Sequence, residues 1–395
     1  MTIKSDSAVR PAVLPWALIG AACLGSFAAT SSGTTRAPFL LDMAHDLDVS
    51  MPMVANLVSL TSISWGLTSA LGGWLSDVVG RRPLLVGGLF ALALAVLAQA
   101  LAGSFFWIAV WATVGGGCSG AFMGVVFAEV SGRVPDSQRG RALGWVMSGQ
   151  SLTLVIGVPM AAAVGSLIGW RGWLVCVGGL ALAASLSLFA AVGHGTVGHM
   201  RGAVRPSLRT ALSPKVLGLL GTGIAERICY GLAAVYFATF LQATYHLSLI
   251  EIAIPLAVFA LGNVAGTILG GQLADRRRDR LLTFAIAMAL SGVAALALFM
   301  WHPSLTISVT LGFVYVFLNA LGRPSYMASL AAVPEEVRGT VLGLNGATAS
   351  VGWIGAAALG AAMIGSVGFE GFGPLAAALA FAATVGALLN RRRAS

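Results

Sequence analysis

The chain has 395 residues, 57% of them hydrophobic and only 9% charged, with a formal net charge of +9 and a mean hydropathy of +0.89. Soluble domains carry about 25% charged residues, so there is too little charge here to cover a water-facing surface, and a soluble enzyme or nucleic-acid-binding domain is excluded. The apolar runs are continuous rather than alternating, which excludes an outer-membrane barrel and leaves a membrane-spanning helical bundle.

A crossing takes about 20 apolar residues. On that rule twelve spans are predicted, at roughly 14–36, 52–76, 83–102, 105–130, 140–166, 170–192, 214–242, 249–274, 281–300, 304–327, 336–364 and 369–390. The first run, preceded by Lys4 and Arg10, imitates a signal peptide, but further spans follow without a break and it is read as a retained helix. The 51 glycines point to close helix contacts. Cys23, Cys118, Cys176 and Cys229 each stand alone in an apolar run, with no disulfide or metal-site spacing.

Loop charge orients the spans. Arg81 and Arg82 follow span 2, Arg133, Arg139 and Arg141 follow span 4, and Arg201, Arg205, Arg209 and Lys215 follow span 6. Arg276, Arg277, Arg278 and Arg280 follow span 8, Arg338 follows span 10, and Arg391, Arg392 and Arg393 come after span 12. All fall on the side of Lys4 and Arg10, while the opposite loops carry Asp42, Asp46, Asp48, Glu251 and Glu370. Positive charge gathers on the cytoplasmic side, so both termini are expected there.

Two motifs repeat at half the chain length. GGWLSDVVGRR (Gly72–Arg82) has a weaker copy, GGQLADRRRDR (Gly270–Arg280), with Asp77 and Asp275 standing 198 positions apart (275 − 77). PDSQRG (Pro135–Gly140) matches PEEVRG (Pro334–Gly339), with Arg139 and Arg338 standing 199 apart (338 − 139). Parallel repeats of six spans are a transporter architecture. The expected organisation is an N-terminal six-helix bundle over 1–192, a cytoplasmic linker over 193–213 rich in Gly and Arg, and a C-terminal six-helix bundle over 214–395.

The turn at Gly72–Arg82 resembles the loop signature of the major facilitator superfamily: glycine, aliphatic, Asp, then Gly-Arg-Arg. APFLLDMAHDLDVS (Ala37–Ser50), GGGCSGA (Gly115–Ala121) and GVPMAAAVGSLIGWRGW (Gly157–Trp173) are similar to the bacterial drug:proton antiporter group, including its sugar-efflux-type members. The resemblance covers nearly the whole chain. It implies an all-α membrane protein of twelve transmembrane helices in two pseudo-symmetric six-helix bundles, in a bacterial cytoplasmic membrane. It also implies that span 2 packs beside span 11. The chain departs from that pattern in three places. Span 4 has Trp111 or Ala112 where many proton-coupled relatives carry arginine, Val158 separates Gly157 from Pro159, and Arg278 stands in the second turn where Gly80 stands in the first.

Two groups of residues are candidates for function. Gly73 allows a close helix approach, and Asp77 and Asp275 stand where their helices meet cytoplasm, so each can face the positive N-terminal end of a helix in the other half. With Arg81, Glu129, Arg139 and Arg338 they form a candidate latch of the cytoplasmic side; the alternative is a capped turn whose arginines only set topology.

Mid-membrane charge costs roughly 3 kcal/mol or more and marks function. Glu226 and Arg227 lie about twelve residues into span 7. Successive residues point about 100° apart on a helix, so the two are expected to seek different partners. Glu226 is the candidate proton carrier. Arg227 is a candidate substrate anchor or counter-charge, and a structural ion pair is the alternative. Tyr230 lies one turn on. Arg36 and Arg323, each shortly before a proline (Ala37-Pro38 and Pro324), are candidates for substrate binding or gating, or they snorkel to the interface. Asn56, Trp65, Gln150, Tyr236, Asn263, Asn319, Asn345 and Trp353 are further candidate cavity residues.

No Walker-type GxxxxGK[ST] and no metal-ligand cluster is present, so no cofactor, metal or enzymatic activity is expected. The expectation is a monomer in the lipid bilayer with a small-molecule substrate and protons as its partners, and no nucleic acid. Proton-coupled efflux of small amphipathic molecules is the first functional reading. An uptake or exchange permease for a small carboxylate, read from Arg36, Arg227 and Arg323, is the second. A non-transporting membrane sensor or scaffold is a third, of another class.

Overall fold

The computed structural model describes residues 15–134, 136–192, 213–277, 279–332 and 335–392, and these are almost wholly helical. Twelve long helices follow in order. They are α1 (Trp16–Thr34), α2 (Leu57–Val79), α3 (Gly88–Leu101), α4 (Phe105–Gly132), α5 (Asp136–Leu152) and α6 (Val158–Ala191). The second set is α7 (Pro214–Tyr245), α8 (Leu249–Arg276), α9 (Arg280–Met300), α10 (Leu305–Leu330), α11 (Glu335–Ser366) and α12 (Phe372–Arg392). Between α1 and α2 the chain forms short helical turns at Ala37–Phe39, Leu40–Asp46 and Met51–Ala55, where hydropathy alone predicts mostly loop.

Among the described residues, ten helical stretches are long and apolar enough to cross a membrane. One of them, Ala142–Ala191, is 50 residues long and turns at Gly169, whose φ of 71° suits glycine. It therefore holds the second part of the fifth crossing and the whole of the sixth. Helix α1 is not among the ten, because its last turns are rich in Ser and Thr. Gly80, at φ 93°, ends α2. Local caps start the later helices: Ser248 and Glu251 form a capping box on α8, and Asp279 accepts from the Leu282 N–H at the start of α9.

The packing repeats between the two bundles. Helix α1 lies on α5, α2 on α4 and α3 on α6; likewise α7 lies on α11, α8 on α10 and α9 on α12. The repeat extends to single hydrogen bonds. Ser185 Oγ donates to the Val86 carbonyl (2.8 Å) across α6 and the turn into α3, and Thr384 Oγ1 donates to the Ala285 carbonyl (3.2 Å) across α12 and α9. Both donor and acceptor are offset by 199 residues (384 − 185, 285 − 86), the offset of the PDSQRG and PEEVRG motifs.

Close approach through glycine also recurs. On α4, Gly116, Gly120 and Gly124 face the α2 backbone at Thr61, Trp65 and Ser69, where a Cβ would collide. On α8, Gly262, Gly266 and Gly270 meet the α10 backbone at Phe313, Phe317 and Leu321. Without a hydrophobic drive between helices in lipid, such small-residue contacts supply the packing. The outer members expose apolar rows: Phe90 and Leu94 on α3, Leu186 and Phe189 on α6, Ile286, Leu290 and Val293 on α9, and Phe381, Val385 and Leu389 on α12. In a membrane protein such rows face lipid.

The two bundles meet along two seams. Helix α2 lies against α11, with Ser59 Oγ donating to the Ile354 carbonyl (3.4 Å) and Gly66 against Ser350. Helix α8 lies against the Thr153–Gly157 turn and α6. At the end of the molecule opposite the Arg81 turn, Ala37–Phe39 touches α7 and Met51–Ala55 touches α11.

Candidate functional site

Helix α7 carries the charged centre. Gly223 gives room for the Tyr326 ring of α10, and Gly231 for Ala356 of α11, so α7 is gripped on two sides. Between these contacts Glu226 is buried, with its side chain 1% exposed. Two nitrogens of Arg323 converge on its Oε1, Nε at 3.0 Å and Nη2 at 2.9 Å. Arg227 Nε lies 3.7 Å from Oε2. Arg323 is positioned in turn by Asn319, whose Oδ1 accepts from Nη2 (3.2 Å), and its guanidinium stacks over Tyr230 at 4.7 Å. Tyr230 meets Trp353 of α11 edge-on at 5.7 Å.

This corrects one expectation. Glu226 and Arg227 do not part company: the long arginine side chain reaches back to the neighbouring carboxylate although the two Cα–Cβ directions diverge. The shorter contact is nonetheless with Arg323, 97 residues further on. Charge-assisted hydrogen bonds of this kind are the strong ones. The carboxylate lies behind the two guanidiniums, which are 24% and 17% exposed for Arg227 and Arg323. Two cations share one anion, so the centre carries an excess of positive charge.

The other candidates fall elsewhere. Arg36 is buried beyond the end of α1; its Nε donates to the Ser32 carbonyl (2.9 Å) and its Nη1 to Thr61 Oγ1 (3.4 Å). Gln150 is half-buried on α5. Tyr236 is a packing residue, donating to the Ala357 carbonyl (2.7 Å), and Asn263 is buried on α8. In the Gly72–Arg82 turn, Arg81 lies 3.6 Å from Glu129 of α4, and Arg133 closes on the same carboxylate at 2.6 Å. The side chains of Gly73, Asp77, Arg139 and Arg338 lie outside the described residues, as does the linker 193–212. Asp275 is exposed and makes no hydrogen bond or ion pair among the described residues; in that turn Asp279 pairs with Arg391 of α12 at 2.6 Å.

Sequence reading missed three of these partners. Tyr326, whose hydroxyl donates to Asn345 Oδ1 (3.3 Å), borders the charged centre. Arg133 stands at i+4 from Glu129, a spacing that is itself a signal. In the link after α1, Trp170 Nε1 donates to Asp46 (2.8 Å). Nearby, burial above all, and then the Asp46 carboxylate, raise the pKa of Asp42 above its usual range, while His45 pulls it the other way.

A family model, Major Facilitator Superfamily, matches residues 22–217 and 219–395, almost all of the chain. The chain belongs to the major facilitator superfamily. Among solved structures, this transporter resembles a bacterial homolog of the human lysosomal transporter Spinster in an inward-facing, unoccupied conformation. That match has a TM-score of 0.75 and 17% identity, and covers 97% of this chain and 98% of the other. The transporter is 28% identical to a chloramphenicol resistance protein of Streptomyces lividans, over 66% of its own length and 68% of the relative's. It is 26% identical to the inner membrane transport protein YdhP of Escherichia coli K12, over 65% and 66%. It is 34% identical to the chloramphenicol efflux pump MT0201 of Mycobacterium tuberculosis, over 37% and 35%. The matches thus span about two thirds of the first two relatives and about a third of the last.

Proposed function

We propose that this transporter is a proton-coupled exporter of small amphipathic molecules working by alternating access. It sits in a bacterial inner membrane with both termini cytoplasmic. The observation that carries the proposal is Glu226 held by Arg323 across α7 and α10. Protonation of Glu226 removes the charge that grips Arg323, so proton binding loosens a contact between two helices and frees a guanidinium for substrate. Trp353 and Tyr230 supply the aromatic face beside it. Relatives named for chloramphenicol resistance and efflux support export as the direction. At the cytoplasmic face, Arg81, Glu129 and Arg133, with Asp77, Arg139, Asp275 and Arg338, form the latch that closes when the opposite side opens.

The test is accumulation of ethidium and of labelled chloramphenicol in everted membrane vesicles, with and without a proton gradient. Gradient-dependent accumulation lost in Glu226→Gln supports the reading. Accumulation that persists in Glu226→Gln, or that survives collapse of the gradient, sinks proton coupling through this residue.

The excess of guanidinium over carboxylate at the same centre favours a second reading, exchange or uptake of a small carboxylate. Labelled benzoate exchanging across proteoliposomes without a pH gradient would favour it over the first.

A further inference from the structure

The charged centre accounts for Arg227 and Arg323 but leaves Arg36. This arginine is 5% exposed, yet no carboxylate approaches it among the described residues. An arginine has five N–H donors, and among the described residues only Nε and Nη1 are engaged, on a carbonyl and a hydroxyl. The groups around it are neutral. Ser32 Oγ lies 3.5 Å from Ser119 Oγ, Thr61 donates to the Leu57 carbonyl, and Thr35 accepts from Trp173 Nε1 at 2.8 Å. The Ser32 carbonyl belongs to the last turn of α1, whose dipole offsets part of the charge. That offset amounts to about half a charge, and an unpaired buried cation is costly.

Position gives this cation a use. Arg36 directly precedes Ala37–Phe39, the turn that touches α7 of the other bundle. It therefore stands at the seam that must part if the molecule opens at this end. When the seam beside it parts, the donors that no described residue engages are free to turn toward the opening.

We infer that Arg36 is an oxyanion-binding residue of the transport path, and that the substrates include molecules that carry a carboxylate or comparable oxyanion on an apolar body. This rests on the reading of the chain as an alternating-access transporter and adds a substrate class to it. Thr61 completes the site as a hydroxyl donor once its bond to the Leu57 carbonyl is exchanged. Arginine rather than lysine suits the place, because a planar fork meets two carboxylate oxygens at once.

Thermal unfolding of the purified full-length protein in detergent tests this, with benzoate, its neutral isostere benzamide, and chloride at matched ionic strength as probes. The expected result is a saturable rise in Tm with benzoate and none with benzamide or chloride. Affinity should fall about tenfold or more in Arg36→Gln, for the loss of charge-assisted hydrogen bonds, and less in Arg36→Lys. Should Arg36→Gln not fold, Arg36→Lys keeps the charge and the helix-end interaction and is read alone. An equal benzoate shift in wild type and both variants overturns the proposal. So does a shift that chloride reproduces, which marks an inorganic anion, or no benzoate shift at all. A shift lost in Arg227→Gln but kept in Arg36→Gln places the anion at the charged centre and also overturns it. None of these outcomes touches gradient-driven ethidium accumulation, so failure here is separable from failure of the transport reading.

Discussion

The two bundles share a scaffold and differ in what they carry on it. At the 199-residue offset, Ser185 and Thr384 make the same hydrogen bond, yet Glu226 and Arg227 of α7 correspond to Phe27 and Ala28 of α1. Helix α10 contributes Arg323, whereas α4 has no charged residue before Glu129. The C-terminal bundle therefore holds the buried ion cluster, and the N-terminal bundle offers an apolar and hydroxyl-lined counterpart with Arg36 at its end. Symmetry is kept where helices pack and in the motif charges at the helix ends, and abandoned where charge is buried, as expected if packing serves the fold and buried charge serves transport.

The sharpest way to break this comparison is to remove the carboxylate. Glu226→Leu leaves Arg227 and Arg323 without their anion, and breaking a buried pair costs about 3–5 kcal/mol. The matched change Phe27→Leu should cost less than about 1.5 kcal/mol if the cavity refills. Thermal unfolding of both variants reads the difference, and similar losses would mean that the charged cluster is no more structural than its apolar counterpart.

A smaller effect tests the shared scaffold. Gly120→Val and Gly266→Val each drive a side chain into a helix backbone, at a cost of about 1–3 kcal/mol by overpacking. Comparable losses of Tm are expected in the two bundles; a large loss in one alone would show that the glycine contacts are not equivalent.

The turns differ too. Glu129 is held by Arg81 and Arg133, which are 30% and 34% exposed, so Glu129→Gln should cost about 1 kcal/mol or less. Asp275→Asn, at an exposed position without a described partner, should change stability by no more than about 0.5 kcal/mol. Urea unfolding of the two variants orders them, and a larger loss at Asp275 would reverse the comparison.

Much of the fold was legible because it is written locally. Apolar runs marked the helices, the loop arginines marked their ends, and PDSQRG with PEEVRG marked the repeat. The breaks were harder to read: Gly169 is one glycine among 51, and its φ of 71° within a helical stretch shows only in the folded chain. The candidate site was half legible. Charge inside an apolar run pointed to Glu226, Arg227 and Arg323, but that Arg323 reaches Glu226 is a tertiary fact, set by how α10 lies on α7. The same limit explains Asp279. Sequence repetition singled out Asp275, while the ion pair to Arg391 depends on α12 ending beside the α8–α9 turn.

The central claim is that Glu226 exchanges a proton at the contact with Arg323. Infrared difference titration of the full-length transporter in liposomes tests it without a substrate. Acidification should produce a protonated-carboxyl band that is missing in Glu226→Gln and altered in Arg323→Gln. A spectrum in which the Glu226→Gln variant matches the wild type across the physiological pH range would contradict the account.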